Sequence, residues 1–221
     1  MESNTYEVLQ KAALFQDIAP AQCRQLLDCL APRVRHFAKN EIIHLAGDYV
    51  RHIGIVLTGT ANAYLEHADG SHTLMATHGP LSMFGEVLVS ARTHKSPVTV
   101  CAASEVAAVF IEYERIFSSA AAACEGHCTL LQNMLKVIGG KYFRLFDRIN
   151  ILREKTLRGR IMAYLYALGG GAAVRVTLPF TKTMLAEYLL ANRSALSKEL
   201  RKMEDDGLIK VNARDIEIYS P

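Results

Sequence analysis

The spacing of hydrophobic and polar positions changes twice along this chain of 221 residues. Residues 7–31 carry apolar anchors at helical spacing, which predicts one or two short helices. Between Val34 and Ile111, short half-apolar runs alternate with turn residues, a pattern that predicts several short strands. Asp69-Gly70 lies between two of these runs and is a hairpin signal. Strands at this spacing favour a small antiparallel roll or sandwich.

From about Ser119 onward the apolar period is helical, and over three heptads it fills every a and d position. The residues at these positions are Leu131, Leu135, Ile138, Tyr142, Leu145, Ile149 and Leu152. A helix packed on its own domain also shows apolar stripes, but an unbroken seam favours pairing of two copies of the chain. Gly139-Gly140 interrupts the seam, and each glycine inside a helix costs ~1 kcal/mol relative to alanine. The pair indicates a close backbone approach or a bend.

The C-terminal part has a third pattern. A helix is predicted from about Thr156 to Leu168, followed by a glycine-rich connector at 168–174 and a short strand at 174–178. A helix from Thr181 to about Leu190, a tight turn, a second helix and a strand–turn–strand segment complete the chain. This is the element order of a winged helix-turn-helix.

The second helix of that motif is amphipathic. In the stretch NRSALSKELRKMEDDGLI (192–209), Leu196, Leu200 and Met203 fall on one side, and Arg, Lys and Ser cover the other. Asn192 stands at the N-cap, where its side-chain oxygen can accept a backbone N–H. A solvated surface helix is the plain interpretation of such a polar face. The surrounding element order favours a helix that lies in a nucleic-acid groove.

The residue types on this polar face suit double-stranded DNA. Arg193 can present two donors to guanine O6 and N7 in the major groove. Residues 181–183 open the preceding helix, where hydroxyls, an amine and free backbone N–H groups suit a phosphate. The predicted DNA contacts are Arg193, Ser194, Ser197, Lys198, Arg201, Lys202, Thr181, Lys182 and Thr183.

Charge and hydropathy agree with this interpretation. The formal net charge is +3, and from Arg153 onward 12 Lys and Arg face 8 Asp and Glu, against 13 and 14 in the first 152 residues. A basic excess in this part weakly favours a polyanion partner. No apolar run reaches the ~18 residues that span a membrane, and the first residues lack the regions of a signal peptide. We therefore expect a cytoplasmic protein that has no membrane partner.

The cysteines and histidines raise the question of a redox or haem sensor. Five cysteines without a CxxC pair favour plain thiols over a metal or redox site. Cys124 and Cys128 are spaced i, i+4 at the predicted start of the long helix, so two such pairs in a parallel dimer could form a thiol switch. His67 and His72 flank the predicted hairpin, for which a solvated tip is a simpler account than haem. No metal site is predicted.

Common enzyme signatures are missing from the sequence. The sequence contains no phosphate loop, no HExxH and no nucleophile elbow. We therefore expect no catalytic residues and no enzyme activity.

These segments together resemble the cyclic-AMP receptor / fumarate-nitrate regulator (CRP/FNR) family of transcription regulators, over nearly the whole chain. The marks are Leu14-Phe15, Gly47-Asp48, IVLTG at 55–59, FGE at 84–86 and LAEYL…NRSALSKELRKMEDDGLI. The resemblance implies an α+β protein with a cyclic-nucleotide-binding-type β-roll over 1–120. A long dimerisation helix over 121–153 and a winged helix-turn-helix over 154–221 follow.

The resemblance also implies partners. Members form homodimers along the long helix and bind inverted half-sites about one helical turn apart. They hold a small effector between the roll and the long helix, and RNA polymerase is the further partner that the family implies.

The implied effector site departs from the cyclic-AMP-binding members. About ten residues after FGE those members carry an Arg and a Ser or Thr, where this chain has Ser96 and Pro97, with Lys95 adjacent. Pro97 offers no N–H, and Lys95 cannot form a bidentate fork. Apolar residues replace small hydroxyl residues on the long helix. We therefore expect an unknown effector other than cyclic AMP. The residues expected to contact it are Gly85, Glu86, Lys95, Ser96, Tyr142, Leu145 and Phe146. The alternative is a redox or metal switch, through cysteines or haem, on the same scaffold.

The DNA end departs from the family at two points. Leu190 or its neighbour stands where many members have Gly or Asn, and a positive φ there would strain Leu by ~1–2 kcal/mol. Ser194 and Lys198 stand where the best-known members have Glu and Arg, while Arg193 is kept. A Ser does not select cytosine as a Glu does, so we expect an altered half-site with a guanine opposite Arg193.

Overall fold

The chain forms two compact units, Met1–Gly140 and Lys141–Pro221, and the division between them falls within the range of one long helix. This computed structural model describes residues 3–87, 95–170, 175–179 and 181–219. No helix in these ranges is long and apolar enough to cross a membrane. Each unit has a hydrophobic core of its own.

Short helices open the first unit, as the sequence predicts. Helix α1 spans Ser3–Leu9, a single 3-10 turn spans Ala13–Phe15, and α2 spans Pro20–Leu30. Proline at the first position of α2 suits a helix start, because its fixed φ is already helical and its missing N–H is not needed there. The inner face of α2 is fully buried.

Over the described part of the first unit, eight antiparallel strands form the predicted roll. They are β1 (Arg33–Phe37), β2 (Ile42–His44), β3 (His52–Thr58), β4 (Ala61–Glu66), β5 (His72–His78), β6 (Met83–Phe84), β7 (Thr99–Ala102) and β8 (Val106–Glu112). They make two four-stranded sheets in the orders β1-β8-β3-β6 and β2-β7-β4-β5. The predicted hairpin at Asp69-Gly70 joins β4 to β5, and Asp69 Oδ1 accepts hydrogen bonds from Ser71 N at 2.9 Å and Ser71 Oγ at 2.6 Å.

The central strands have two buried faces because side chains alternate along a strand. Val56 and Ala108 pack between the two sheets, whereas Ile55 and Val109 pack beneath the helices. Two short helices, α3 (Tyr113–Ile116) and α4 (Ser119–Ala122), lead from β8 to the long helix.

Helix α5 runs without interruption over 27 residues, His127–Arg153. Its first half enters the core of the first unit, where buried Asn133 donates through Nδ2 to Leu14 O at 3.2 Å and to Gln16 O at 2.6 Å. Ile151 belongs to the core of the second unit. Gly139-Gly140 lies inside the helix, and a Cβ added at Gly139 would meet no described atom within 4 Å.

Six of the seven predicted heptad residues of α5 divide into two groups, and the seventh, Leu152, is half-buried. Leu131 and Ile138 pack partly against the first core. The four residues that we call the α5 stripe remain in solvent; they are Leu135 (67% exposed), Tyr142 (63%), Leu145 (50%) and Ile149 (51%).

The second unit has the element order of a winged helix-turn-helix, which confirms the predicted architecture. Its elements are α6 (Leu157–Leu168), β9 (Arg175–Thr177), α7 (Lys182–Tyr188), α8 (Arg193–Asp205), β10 (Ile209–Asn212) and β11 (Asp215–Ile218). The strands pair antiparallel in the order β10-β11-β9. Leu196, Leu200 and Met203 bury the apolar side of α8, as the periodicity predicts.

One local prediction holds only in part, and another is wrong. Asn192 has the extended backbone of an N-cap, but its exposed side chain makes no capping hydrogen bond. Cys124 and Cys128 do not share a helical face, because Gly126 has a left-handed backbone (φ 83°) and α5 begins only after it, at His127. Cys124 is buried and Cys128 is exposed as a result.

The turn between α7 and α8 has the left-handed residue that the family resemblance suggested at Leu190 or its neighbour. Leu190 has φ 52°, a left-handed conformation that disfavours any residue with a Cβ. Its side chain is 55% exposed, so burial compensates little of that strain. Arg160 of α6 stabilises the turn, since Nη1 donates to Leu189 O at 2.8 Å and lies 3.5 Å from Leu190 O.

Replacing Leu190 with glycine should therefore stabilise the second unit. Glycine removes ~1–2 kcal/mol of left-handed backbone strain from the folded state. It also makes the unfolded chain more flexible, which costs only ~0.4–1 kcal/mol of stability. We expect urea denaturation to give a higher free energy of unfolding for Leu190→Gly. The control Leu189→Gly, at a fully buried residue with φ −88°, should be clearly destabilised. A Leu190→Gly protein no more stable than wild type would mean that the turn carries no such strain.

Candidate functional site

The polar face of α8 lines an open groove of about 820 Å³, which we call the α8 groove. Lys182 of α7 and Val211 and Ala213 of the β10–β11 hairpin complete its walls. The structure places six of the predicted contacts from α8 around it: Arg193, Ser194, Ser197, Lys198, Arg201 and Lys202. All six are exposed except half-buried Ser197, so the polar face is available to a ligand.

Acidic side chains near α8 are turned toward other parts of the unit. Glu199 Oε1 lies 2.7 Å from Arg158 Nε, and Asp206 Oδ2 lies 2.6 Å from Arg158 Nη1. Hydrogen bonds to these two carboxylates raise the pKa of Arg158. Glu204 Oε1 accepts from Val211 N at 2.8 Å and so joins α8 to the hairpin.

The cations of the groove are left without intramolecular ion pairs. Across the residues that the structure describes, no carboxylate lies within ion-pair distance of these five: Lys182, Arg193, Lys198, Arg201 and Lys202. Two acids, Glu204 and Asp205, line the groove beside these five cations, and Glu204 accepts a hydrogen bond from Val211 N of the same wall. The α8 groove therefore has a surplus of positive charge, which suits a polyanion.

The start of α7 supplies the other predicted contacts. Thr181 is the N-cap of α7, and its Oγ1 accepts from Met184 N at 3.3 Å. The hydroxyl proton of Thr181 remains able to donate outward. Lys182 and Thr183 are exposed beside it, and of these three only Lys182 lines the groove.

The β10–β11 hairpin is fixed to β9 through β11. Asp215 accepts from Thr177 Oγ1 at 2.6 Å and from Arg175 Nη2 at 2.8 Å. The Thr177 hydroxyl, and after it the Arg175 guanidinium, lower the pKa of the Asp215 carboxyl. Arg214 is exposed at the hairpin tip, so the hairpin presents one more cation on a supported strand pair.

Sequence reasoning missed the arginines that support this site. Besides Arg158 and Arg160, Arg148 of α5 is buried, with its guanidinium carbon 4.4 Å from the centre of the Tyr188 ring. Burial lowers the pKa of Arg148. This cation–π contact joins the C-terminal half of α5 to α7. The only signal in the sequence was the presence of arginines on helices that are otherwise largely apolar.

The predicted effector residues of the roll lie in two segments. Gly85 has φ 84°, and a Cβ there would lie 2.8 Å from His52 O, so the FGE turn needs glycine. Glu86 is 1% exposed. Residues 88–94, between Glu86 and the second segment, lie outside the described residues.

The second segment is Lys95 and Ser96. Ser96 exchanges backbone hydrogen bonds with the Gly47-Asp48 turn, at 2.7 Å to Gly47 N and 2.9 Å to Asp48 O. Its buried hydroxyl donates to Val98 O at 2.6 Å. Lys95 is exposed, with Nζ 5.3 Å from the centre of the Tyr49 ring.

The remaining predicted effector residues belong to the second unit. Tyr142, Leu145 and Phe146 lie on α5 and are 63%, 50% and 51% exposed. Their part in an effector site stays a prediction.

Comparison with known proteins agrees with this architecture. The family model of the cyclic nucleotide-binding domain matches residues 34–122, and that of the Crp-like helix-turn-helix domain matches residues 159–221. A curated CRP-like cAMP-activated global transcriptional regulator from Mycobacterium tuberculosis is 25% identical over 219 residues, covering 95% of this chain and 93% of that protein.

Two solved structures illustrate the shared fold. A mutant of CooA from Carboxydothermus hydrogenoformans has a TM-score of 0.71 at 18% identity, covering 87% of this chain and 86% of that chain. The c-di-GMP responsive global regulator CLP from Xanthomonas campestris has a TM-score of 0.69 at 16% identity, covering 92% and 100%.

Proposed function

We propose that this chain, which belongs to the CRP/FNR family of transcription regulators, acts as a homodimer that binds an inverted-repeat DNA site under the control of a small effector. The observation that carries the proposal is the α8 groove, where four cations of α8 and Lys182 of α7 have no ion pair with any described carboxylate. The major groove of B-DNA admits one α-helix. We propose a cytoplasmic site of action and RNA polymerase as a further partner, and no catalytic role.

The order of residues along α8 supports assigning some of its contacts to bases and others to phosphates. Arg193 stands at the first residue of the helix, and N-terminal residues of a reading helix face base edges. We assign Arg193 to a guanine and the nearby Ser194, Ser197 and Lys198 to the same groove floor. Thr181, Lys182 and Thr183, with Arg201 and Lys202 further along α8, are assigned to phosphates, which position the helix without reading sequence.

The α5 stripe supports the dimer. Four large apolar side chains between a half and two-thirds exposed leave apolar surface in water, and burying it gains about 25 cal/mol per Å². A second copy of α5 covers the stripe through knobs-into-holes packing, and the open space at Gly139 allows the two helices to approach closely. We propose residues 1–120 as the sensing part, 121–153 as the dimerisation helix and 154–221 as the DNA-binding part.

The roll supports an effector other than cyclic AMP. The Ser96 hydroxyl, which would meet a cyclic phosphate, already bonds to Val98 O, and Pro97 has no N–H to donate. Lys95 offers a point charge in place of a guanidinium fork. We propose that the effector contacts Gly85, Glu86, Lys95 and Ser96, together with Tyr142, Leu145 and Phe146. It regulates by binding two arrangements of the dimer with different affinity.

The first test selects DNA sites from a randomised duplex pool and compares two variants on the selected site. We expect an inverted repeat whose half-sites are about one helical turn apart. Arg193→Ala should cost ~1–3 kcal/mol of binding and relax one base position. The matched control Lys182→Ala should weaken all sequences alike and reduce the slope of log K against log salt by about one.

Two results would contradict the assignment. A uniform loss over all sequences for Arg193→Ala would make Arg193 a phosphate contact. If the selection enriches no inverted repeat, the protein is not a sequence-specific dimer of the kind proposed.

A second test addresses the effector. We expect the dissociation constant for the selected duplex, measured by fluorescence anisotropy in reducing buffer, to be the same with and without saturating cyclic AMP. The physical reason is the engaged Ser96 hydroxyl and the missing N–H at Pro97. Tighter binding in cyclic AMP would show that other groups of the roll hold the phosphate.

A further inference from the structure

Two cysteines that are far apart in sequence meet in the first unit. Cys29 Sγ, near the end of α2, lies 2.9 Å from Cys124 Sγ, in the loop that joins α4 to α5. Cys29 is half-buried and Cys124 is 7% exposed. We propose that Cys29 and Cys124 form a dithiol site that a hydroperoxide oxidises to an intramolecular disulfide. Its effect on DNA affinity rests on the proposed function, whereas the chemistry of the site does not.

The surroundings hold the two sulfur atoms together. Gln22 Nε2 of α2 donates to Glu125 Oε2 of the same loop at 2.9 Å. A Cβ at Gly126 would lie 2.9 Å from Ile18 Cγ2, so the loop backbone packs directly on the segment that leads into α2. A disulfide of about 2.05 Å requires the sulfur atoms to approach by only about a further 0.9 Å. The folded protein therefore already holds the reactants together, which favours the intramolecular bond over one between chains.

The oxidation balances with a hydroperoxide as the oxidant. The thiolate of Cys29, the more exposed of the two, attacks the outer peroxide oxygen; the O–O bond breaks and an alcohol or water leaves with the displaced thiol proton. The Cys124 sulfur then attacks the resulting sulfenic sulfur, the S–O bond breaks, and water leaves. Two electrons pass from the sulfur atoms to the peroxide. The hydrogen bond with Cys29, and then burial, raise the pKa of Cys124, which makes Cys124 the less suitable of the two for the first attack on the peroxide.

The bond would act on the start of the dimerisation helix. Gly126 ends the loop, and α5 begins at His127, whose Nε2 lies 2.7 Å from Ile116 O. A disulfide between Cys29 and Cys124 would fix this loop to α2 covalently. Oxidation would thereby favour the arrangement of the dimer in which α2 and the loop stay in contact, at the expense of any other.

The other three cysteines provide matched controls. Cys23 is fully buried, and burial raises its pKa to about 11. Cys101 is half-buried in β7, and burial raises its pKa. Cys128 is exposed on the first turn of α5. Cys128→Ser therefore removes the most accessible thiol without touching the proposed pair.

The experiment treats the reduced full-length protein with hydrogen peroxide, quenches it, and maps the non-reduced peptides by mass. We expect the loss of two of the five thiols, one crosslinked peptide pair that contains Cys29 and Cys124, and full reversal by dithiothreitol. Cys128→Ser and Cys23→Ser should give the same crosslink, and Cys29→Ser should give none. Because Cys29 is only half-buried, Cys29→Ser carries the test if Cys124→Ser fails to fold. A crosslink through any other cysteine, or two thiols lost in Cys29→Ser, would overturn the proposed site.

A second readout separates the site from its regulatory role. The dissociation constant of the oxidised protein for the selected duplex should differ from that of the reduced protein by about fivefold or more, a change typical of coupled sites. Cys29→Ser should show no such change. A disulfide that forms without altering DNA affinity would overturn the regulatory role. A protein that binds no duplex in either state would overturn the proposed function, while the peptide map would still decide the dithiol site.

Discussion

One helix, α5, has side chains in three environments: the core of the first unit, the core of the second unit, and solvent. The first half of α5 places Leu130 and Met134 in the core of the first unit, and Ile151 near its other end lies in the core of the second. The α5 stripe then leaves Leu135, Tyr142, Leu145 and Ile149 in solvent. Because a surface helix normally has only one apolar face, the additional face of α5 calls for a partner. A second copy of the same helix is the partner that its heptad spacing fits.

The DNA-reading unit is arranged around the charge of α8. Arg158 holds Glu199 and Asp206 against α6, and Glu204 holds the hairpin strand. The acids thus support the position of the helix, while the cations on its other side remain available for phosphates and base edges. Ion pairs this exposed add little stability each. Their importance here is that they remove negative charge from the α8 groove.

Sequence reasoning succeeded where the determining interactions are local. The alternation of the strands, the Asp69-Gly70 hairpin and the buried side of α8 follow from side-chain period and turn chemistry, which act within a few residues. The family pattern pointed to a possible positive φ at Leu190 or its neighbour, and the structure has it at Leu190. The boundaries 1–120, 121–153 and 154–221 stay a prediction, and the roles of the groove and effector residues stay proposals.

Sequence reasoning failed where the partner lies far along the chain. The contact of Cys29 with Cys124 joins residues 95 apart, and no periodicity signals it. The prediction that Cys124 and Cys128 share one face of the long helix failed because one left-handed glycine, Gly126, shifts the helix start past Cys124. Arg148, Arg158 and Arg160 likewise bond to groups that only tertiary packing brings near.

The central claim is that two copies of the chain pair along α5 and so bind an inverted repeat. Sedimentation equilibrium of the reduced protein tests it most directly, because it measures whether a second copy covers the α5 stripe. We expect a mass of twice the 24.4 kDa chain for wild type, and a single-chain mass when Leu145 and Ile149 are both replaced by Glu. The paired control Lys136→Glu, at an exposed residue of α5 outside the predicted heptad seam, should remain dimeric. A wild-type protein that sediments as one chain at the concentrations where it binds DNA would contradict the account.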